Sequence, residues 1–83
     1  MDFDEIFKQD LVLLGRHIRK LREERGLTLA EVSSATGISI SYLKKIEEGK
    51  AYRIKVIAHI FPMIELFHIS FKEIFSFKNN SNL

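Results

Sequence analysis

The sequence is poor in the residues that cross-link, bend or anchor a chain. Its 83 residues include no cysteine, no tryptophan, a single proline and four glycines. Without cysteine, a disulfide framework, a thiolate zinc site and a cysteine nucleophile are all excluded. Apolar runs reach only four or five residues, which is too short for a membrane-crossing helix. The first ten residues carry four acidic side chains and one basic one, unlike a signal peptide. We therefore expect one small cytoplasmic domain.

What is present is an ordinary globular composition with an uneven charge distribution. Hydrophobic residues make up 46% of the chain and charged residues 29%, with a net charge of +2. Ten basic and five acidic residues lie between positions 16 and 55. Two interpretations of this basic middle remain open: it binds a polyanion such as nucleic acid, or it is the solvated surface of helices with mixed charge.

Hydrophobic spacing predicts an all-α chain, since no hairpin dipeptide or sustained alternation is found. The first long helix is predicted from Asp10 to Arg25, because Leu14, Ile18 and Leu21 share one face. Gly26 is a suitable stop. The predicted organisation is an acidic N-terminal extension at 1–9, one domain at 10–77 and a flexible polar tail at 78–83.

Two short helices follow, and their ends carry strong local signals. Thr28 and Glu31 have the spacing of a capping box at the start of the second helix. Gly37 supplies the turn after it, and Ser39 has the character of an N-cap for the third helix. Gly49 is expected to end that helix.

The C-terminal third is strongly apolar and contains five of the seven phenylalanines. Pro62 lies within the helical segment from Ile54 to Phe67, which predicts a kink or a restart there. Ser70 is the expected cap of a final helix. The phenylalanines form either the core of the monomer or a dimer interface, and a core this small favours a twofold homodimer. The predicted interface residues are Phe67, Phe71, Phe75 and Phe77.

Two short helices joined by a glycine turn, the second with exposed small polar and basic residues, are typical of a helix-turn-helix. In this arrangement one helix enters the major groove and the other braces it. The stretch LGRHIRKLREERGLTLAEVSSATGISISYLKKIEEGK at 14–50 resembles the lambda-repressor-like Cro/cI (XRE) family of helix-turn-helix domains. The segment HISFKEIF resembles the closing helix of that family.

This resemblance implies a compact five-helix fold and a transcriptional regulator that binds specific sequences in double-stranded DNA. The recognition helix would span about 39–48. Arg22 and Glu47 would form a structural ion pair between the first and third helices. The residues implied in DNA binding are Thr28, Ser39, Ile40, Ser41, Tyr42, Lys44, Lys45, Lys50 and Arg53.

Three features depart from the family pattern. Leu29 stands where the family often has glutamine, and leucine cannot donate to a phosphate or a base. Ile40 stands where a polar base reader is common, and it can contact only apolar groups such as a thymine methyl. The segment 51–61 is longer and more apolar than usual, so the register after Gly49 stays open.

Part of the same stretch, GLTLAEVSSATGISISYLKKIEEGK, with Leu29 in place of glutamine, also resembles the cytoplasmic helix-turn-helix domain of the bacterial cell-shape protein RodZ. That resemblance implies the alternative function, a protein-interaction module in which Ile40 and Tyr42 form a patch for a protein partner.

Enzymatic chemistry is not expected from this sequence. The three histidines, His17, His59 and His68, lack metal-ligand spacing. Glutamates in the pairs at 23–24 and 47–48 are neighbours on helices, so their side chains point apart. No nucleophile elbow, phosphate loop or metalloprotease motif is present. The sequence therefore predicts no metal, no cofactor, no small-molecule substrate and no membrane association.

Overall fold

The protein folds into five α-helices. The computed structural model describes residues 3–51 and 53–77, and side chains over 8–51 and 55–77. The described residues form no strand, which agrees with the predicted all-α class. Within this part of the chain, no helix is long and apolar enough to cross a membrane. The helices are α1 (Phe3–Glu24), α2 (Leu29–Thr36), α3 (Ile40–Glu47), α4 (Arg53–Phe67) and α5 (Phe71–Ile74).

Helix α1 begins seven residues before the predicted start at Asp10, so that prediction of the boundary is wrong. Residues 3–9, which were assigned to an N-terminal extension, continue the helix. The prediction relied on the apolar stripe alone, whereas acidic residues such as Asp4 and Glu5 are themselves favourable at a helix N-terminus. Most of α1 follows the predicted pattern, and its stripe of Leu14, Ile18 and Leu21 is buried.

The caps of α2 and α3 lie where the sequence predicts them. Thr28 accepts a hydrogen bond from the Glu31 N–H, and the Glu31 side chain accepts one from the Thr28 N–H, which completes the capping box. Gly37 follows α2 in the left-handed conformation, with φ of 79°, where a side chain would be strained. Ser39 caps α3. These caps fix a tight turn between the two helices.

The C-terminal helices differ from their predicted forms. Helix α4 runs through Pro62 as one element, so the predicted restart at this residue does not occur. It ends at Phe67, and the next residue, His68, has a φ of 56° and takes the left-handed position usually given to glycine. Ser70 caps α5 as predicted, but α5 has only four residues. The predicted final helix is therefore shorter than its run of apolar residues suggested.

The core is a single apolar cluster that draws on all five helices. Helix α1 packs on α3, α4 and α5, and α2 packs on α3 and α4. Gly15 allows the closest approach, because a Cβ there would lie 2.8 Å from the Glu47 carbonyl oxygen and closer still to that of Ile46. The C-terminal end of α3 therefore lies directly on the α1 backbone. The buried residues are Leu14, Ile18, Leu21, Val32, Ile38, Leu43, Ile46, Ala51, Val56, Ile60, Met63, Phe67 and Ile74.

Candidate nucleic-acid interface

Helix α3 has one buried face and one open face. Leu43 and Ile46 point into the core and are almost fully buried. Because they are three residues apart, they fix the rotation of the helix about its own axis. The opposite side is the outer face of α3, which we define as the four exposed residues Ile40, Ser41, Lys44 and Lys45.

The first turn of α3 is held by its serine cap. The Ser39 hydroxyl oxygen accepts a hydrogen bond of 3.2 Å from the Tyr42 N–H. The hydroxyl groups of Ser39 and Ser41 lie 3.5 Å apart. Ile40 follows the cap and is 44% exposed, a high value for an isoleucine. The N-terminal end of α3, which approaches base edges in helix-turn-helix complexes, therefore presents one apolar and two hydroxyl side chains.

Two lysines lie further along the same face. Lys44 is one turn after Ile40, and Lys45 is one turn after Ser41. Among the described residues, no carboxylate forms an ion pair with either of them. Lys50 is also exposed, and its Nζ lies 3.9 Å from a Glu48 oxygen, which is a weak surface contact. Lys44 and Lys45 thus leave two unneutralised cations on the outer face.

A shallow groove runs beside this face at the junction of α1, α2 and α3. Three cations border it, Lys44 from α3 and Arg19 and Arg22 from α1. Leu29, which replaces the glutamine common in the family, lies half-buried at its edge. The full lining is Arg19, Arg22, Leu29, Lys44, Glu47 and Glu48.

Tyr42 lies half-buried at the edge of this face, and its contact with a base stays a prediction. Its ring packs against the His59 ring of α4, with centroids 5.0 Å apart. Its hydroxyl oxygen is buried, and no hydrogen-bond partner lies near it among the described residues. Burial raises the pKa of the Tyr42 hydroxyl. The ring packs toward α4, a contact that the sequence pattern of α3 alone does not reveal.

The start of α2 is organised by its capping box. The Thr28 N–H donates to the Glu31 carboxylate over 2.9 Å, and the Glu31 N–H donates to the Thr28 hydroxyl over 3.0 Å. The backbone hydrogen bond from Thr28 is the main reason that the pKa of Glu31 lies below its usual value. The Thr28 amide is therefore occupied, and only its exposed hydroxyl is left to approach a phosphate.

Arg22 and Glu47 form the ion pair that the family resemblance implies. The Arg22 Nε donates over 2.7 Å and a second guanidinium nitrogen over 3.0 Å to the two carboxylate oxygens. The two side chains are only 12% and 9% exposed. The remaining guanidinium nitrogen donates to the Leu27 carbonyl oxygen over 2.8 Å. The hydrogen bonds to Glu47 raise the pKa of Arg22. This pair joins α1, the turn before α2 and the end of α3.

The remaining predicted residues fall into three groups. Arg53 begins α4, but its side chain lies outside the described residues. Phe67 is 2% exposed in the core of its own chain, so its assignment to a dimer interface is wrong. It is buried because α1 and α5 both pack against α4. Phe71 is 51% exposed, while Phe75 and Phe77 are half-buried.

These rings belong to what we call the aromatic surface, formed by Phe61, Phe71, Phe75 and Phe77. Phe71 stacks on Phe61 with centroids 5.7 Å apart and contacts Phe75 at 5.2 Å. Phe75 in turn lies 6.4 Å from Phe77. Phe61 is 58% exposed. Sequence reasoning missed Phe61, because its place in an apolar segment does not tell whether its ring is buried or exposed.

Sequence reasoning also missed several residues that hold the domain together. Arg25 donates to the Phe67 carbonyl oxygen over 2.9 Å and to that of Leu21 over 2.8 Å, and it lies 5.3 Å from the Phe67 ring centroid. It therefore secures the C-terminal end of α4. The His17 Nε2 lies 3.0 Å from the Glu73 carbonyl oxygen. No local pattern signals such contacts, because they join residues far apart in the chain.

The fold and the outer face of α3 together define a class of protein, a helix-turn-helix module whose second helix, α3, has one exposed face. Within the described residues, no group of three or more histidine, aspartate or glutamate side chains could hold a metal ion. The family model for the helix-turn-helix domain matches residues 13–56, which is more than half of the chain. The protein belongs to the helix-turn-helix domain family. No curated protein and no solved structure matches the chain significantly.

Proposed function

We propose that the protein is a transcriptional regulator of the Cro/cI type that binds specific sequences in double-stranded DNA. Membership of the helix-turn-helix family suggests a DNA-binding regulator in general terms. The observation that carries the finer proposal is the outer face of α3, which holds two unpaired lysines while the other side of the helix is fixed in the core. The proposal includes the predicted cytoplasmic location, because a regulator must share a compartment with its DNA.

In this proposal α3 lies in the major groove, and α2 braces it across the backbone. Lys44 and Lys45 contact phosphates or guanines, and Ser41 bonds a base edge. Thr28, at the start of α2, offers its hydroxyl to a backbone phosphate. Lys50 and Arg53, in and after the loop that follows α3, are proposed to grip the second strand.

The experiment that tests this proposal is selection of bound duplexes from a random pool, followed by titration of the enriched duplex at several salt concentrations. An enriched sequence is expected, with a log–log salt slope of about −0.9 for each phosphate that is neutralised. No enrichment, or an affinity that does not change with salt, would contradict the proposal.

We further propose that the protein acts as a homodimer through the aromatic surface. The exposed rings Phe61 and Phe71 lie on α4 and α5, whereas the outer face lies on α3. A second copy could cover these rings while both recognition helices stay free to read a palindrome.

Sedimentation equilibrium of Phe61→Ser and Phe71→Ser tests the homodimer. Both variants are expected to shift the protein toward the 9.7 kDa monomer, whereas Leu13→Ser, an exposed apolar position on α1, should leave the mass unchanged. A wild type that stays monomeric at high concentration would contradict the dimer.

One observation favours a second candidate function, a protein-interaction module without DNA binding. Ile40 exposes apolar surface on α3, and Leu29 replaces the common glutamine. Such a module would bind a protein through these side chains with weak salt dependence, and the duplex selection would return no enriched sequence. Since neither function needs a reaction, the proposal is that the protein is not an enzyme and binds no small-molecule substrate.

A further inference from the structure

The apolar residue on the outer face of α3 has a specific location. Ile40 is the first residue of the helix, directly after the Ser39 cap. It is 44% exposed, although burying an isoleucine side chain normally stabilises a protein. The next residue, Ser41, and Lys44, one turn later, are both exposed. Ile40 is thus an isolated apolar side chain among polar and basic ones.

The other two side chains at this end of α3, Ser39 and Tyr42, already make contacts within the chain. The Ser39 hydroxyl accepts the Tyr42 N–H and keeps only its O–H to donate, and the Tyr42 ring packs against His59. Within the first turn of α3 itself, Ile40 and Ser41 are the exposed side chains. Of these two, only Ile40 has the size and the apolar surface to discriminate between bases without a hydrogen bond.

We infer that Ile40 determines part of the binding specificity by contacting the C5 methyl group of a thymine. This inference rests on the proposed DNA-binding function. The thymine methyl is the apolar group that a base pair presents in the major groove, and an aliphatic side chain is its natural partner. Lys44, one turn later on the same face, lies toward the phosphates or a neighbouring guanine.

The surroundings favour DNA over an apolar protein partner at this position. Lys44 lies one turn after Ile40 and Lys45 is also on the outer face, with no carboxylate paired to either among the described residues. A protein that docked on one isoleucine would also have to neutralise or desolvate these two charges. A duplex supplies both a methyl group and phosphates at suitable positions. The aromatic surface, by contrast, offers several contiguous rings and no such charge among its members.

The test uses the full chain and the enriched duplex from the random selection. Each thymine of one half-site is replaced in turn by deoxyuridine, which lacks only the C5 methyl group. At the position that Ile40 contacts, the loss of one methyl contact is expected to weaken binding about fourfold, from about 0.8 kcal/mol per buried carbon. Replacement in both half-sites of a palindrome should weaken binding about tenfold or more.

Two variants identify the side chain responsible. Ile40→Ala should bind the thymine and uracil duplexes equally, because the methyl contact is already lost. Ser41→Ala, a neighbouring exposed position, should keep the full preference for thymine. Both substitutions are at exposed positions, and circular dichroism melting checks that each variant remains folded.

The outcomes separate this inference from the proposed function. If the duplex binds with a clear salt dependence but no uracil replacement changes the affinity, the methyl contact is refuted while DNA binding stands. A thymine preference that persists in Ile40→Ala would assign the contact to another residue and overturn the inference. If no duplex is enriched at all, the proposed function fails and this inference fails with it.

Discussion

The two faces of α3 are built for different tasks. The inner face is held by buried apolar contacts of Leu43 and Ile46, by the Arg22–Glu47 ion pair, and by the close approach to Gly15. The outer face makes no comparable contacts within the described chain and carries Ile40 and two lysines. This difference shows that contacts on the inner face hold α3 in one position, so that the side chains of the outer face are presented in a fixed arrangement. Inner-face changes should therefore reduce stability, and outer-face changes should reduce binding.

The largest effect is expected at Gly15, where the α1 backbone contacts the C-terminal end of α3. Gly15→Ala places a methyl group within 3 Å of the Ile46 and Glu47 carbonyl oxygens, and neither backbone group can move easily. We expect a loss of about 3 kcal/mol or more in the free energy of unfolding, measured by urea denaturation. Gly26→Ala is the matched control. It meets no atom within 4 Å, so only its positive φ should matter, at about 1 kcal/mol. Equal losses in the two variants would contradict the close packing of α1 on α3.

An effect of comparable size is expected at Glu47. In Glu47→Ala, Arg22 stays largely buried but loses the carboxylate with which it pairs. It keeps one hydrogen-bond acceptor, the Leu27 carbonyl oxygen. Removing one member of such a pair typically costs about 3–5 kcal/mol, enough to unfold a small domain. Glu48→Ala is the control, because this exposed neighbour makes only a 3.9 Å contact with Lys50. Thermal melting should separate the two variants clearly.

A double variant sharpens the interpretation of the ion pair. Arg22→Met combined with Glu47→Leu removes both charges at once and should recover much of the stability that Glu47→Ala loses. If the double variant is as unstable as Glu47→Ala, the loss does not come from an unpaired arginine.

Substitution of the lysines of the outer face should reduce DNA binding and leave stability nearly unchanged. Lys44→Ala and Lys45→Ala are each expected to weaken duplex binding about tenfold and to reduce the magnitude of the salt slope by about 0.9. Their melting temperatures should stay close to that of the wild type, because both side chains are exposed. Lys72→Ala, at an exposed lysine on α5 that is not part of the outer face, is the matched control. Unchanged duplex affinity in both α3 variants would remove the recognition-helix assignment.

A smaller effect of opposite sign is expected at Tyr42, on the border between the faces. Tyr42→Phe removes a buried hydroxyl that has no hydrogen-bond partner among the described residues. The free energy of unfolding should therefore rise by about 1 kcal/mol, or by about 4–8 °C in melting temperature for a domain of this size. Duplex affinity should not change. A marked loss of affinity would show that the hydroxyl reaches DNA and would contradict its buried position.

The smallest effect concerns pH and Glu31. The pKa of Glu31 is lowered in the folded protein by its hydrogen bonds to Thr28. Its contribution to stability is therefore fully present above the usual value near 4.5 and is lost as pH falls through the lowered folded pKa. Glu31→Gln keeps an acceptor for the Thr28 N–H but does not titrate. Melting temperatures below pH 4.5 should fall less steeply in this variant, and identical pH profiles would contradict the role of the capping box.

The sequence predicted the helix-turn-helix unit well because its signals are local. The capping box of Thr28, the turn at Gly37 and the cap at Ser39 depend on residues within one turn of each other, and all three are confirmed. The early start of α1 was missed because the apolar stripe was taken as the whole helix. The inward position of Tyr42 was missed because it depends on α4, which is distant in the chain.

The C-terminal half was less predictable for the same reason. An apolar segment indicates burial but does not say which of its rings is buried. Phe67 lies in the core and Phe61 is exposed, although both were part of one apolar run. Which ring faces inward is decided by the packing of α4 against α1 and α2, which composition does not specify.

The most direct test of the central claim is a map of amide chemical-shift changes when the ¹⁵N-labelled protein is titrated with the enriched duplex. If the outer face of α3 binds DNA, the largest changes should occur at residues 39–45 and at the start of α2, and they should weaken as salt is raised. Changes centred on the aromatic surface, or no salt-sensitive changes at α3, would contradict the account.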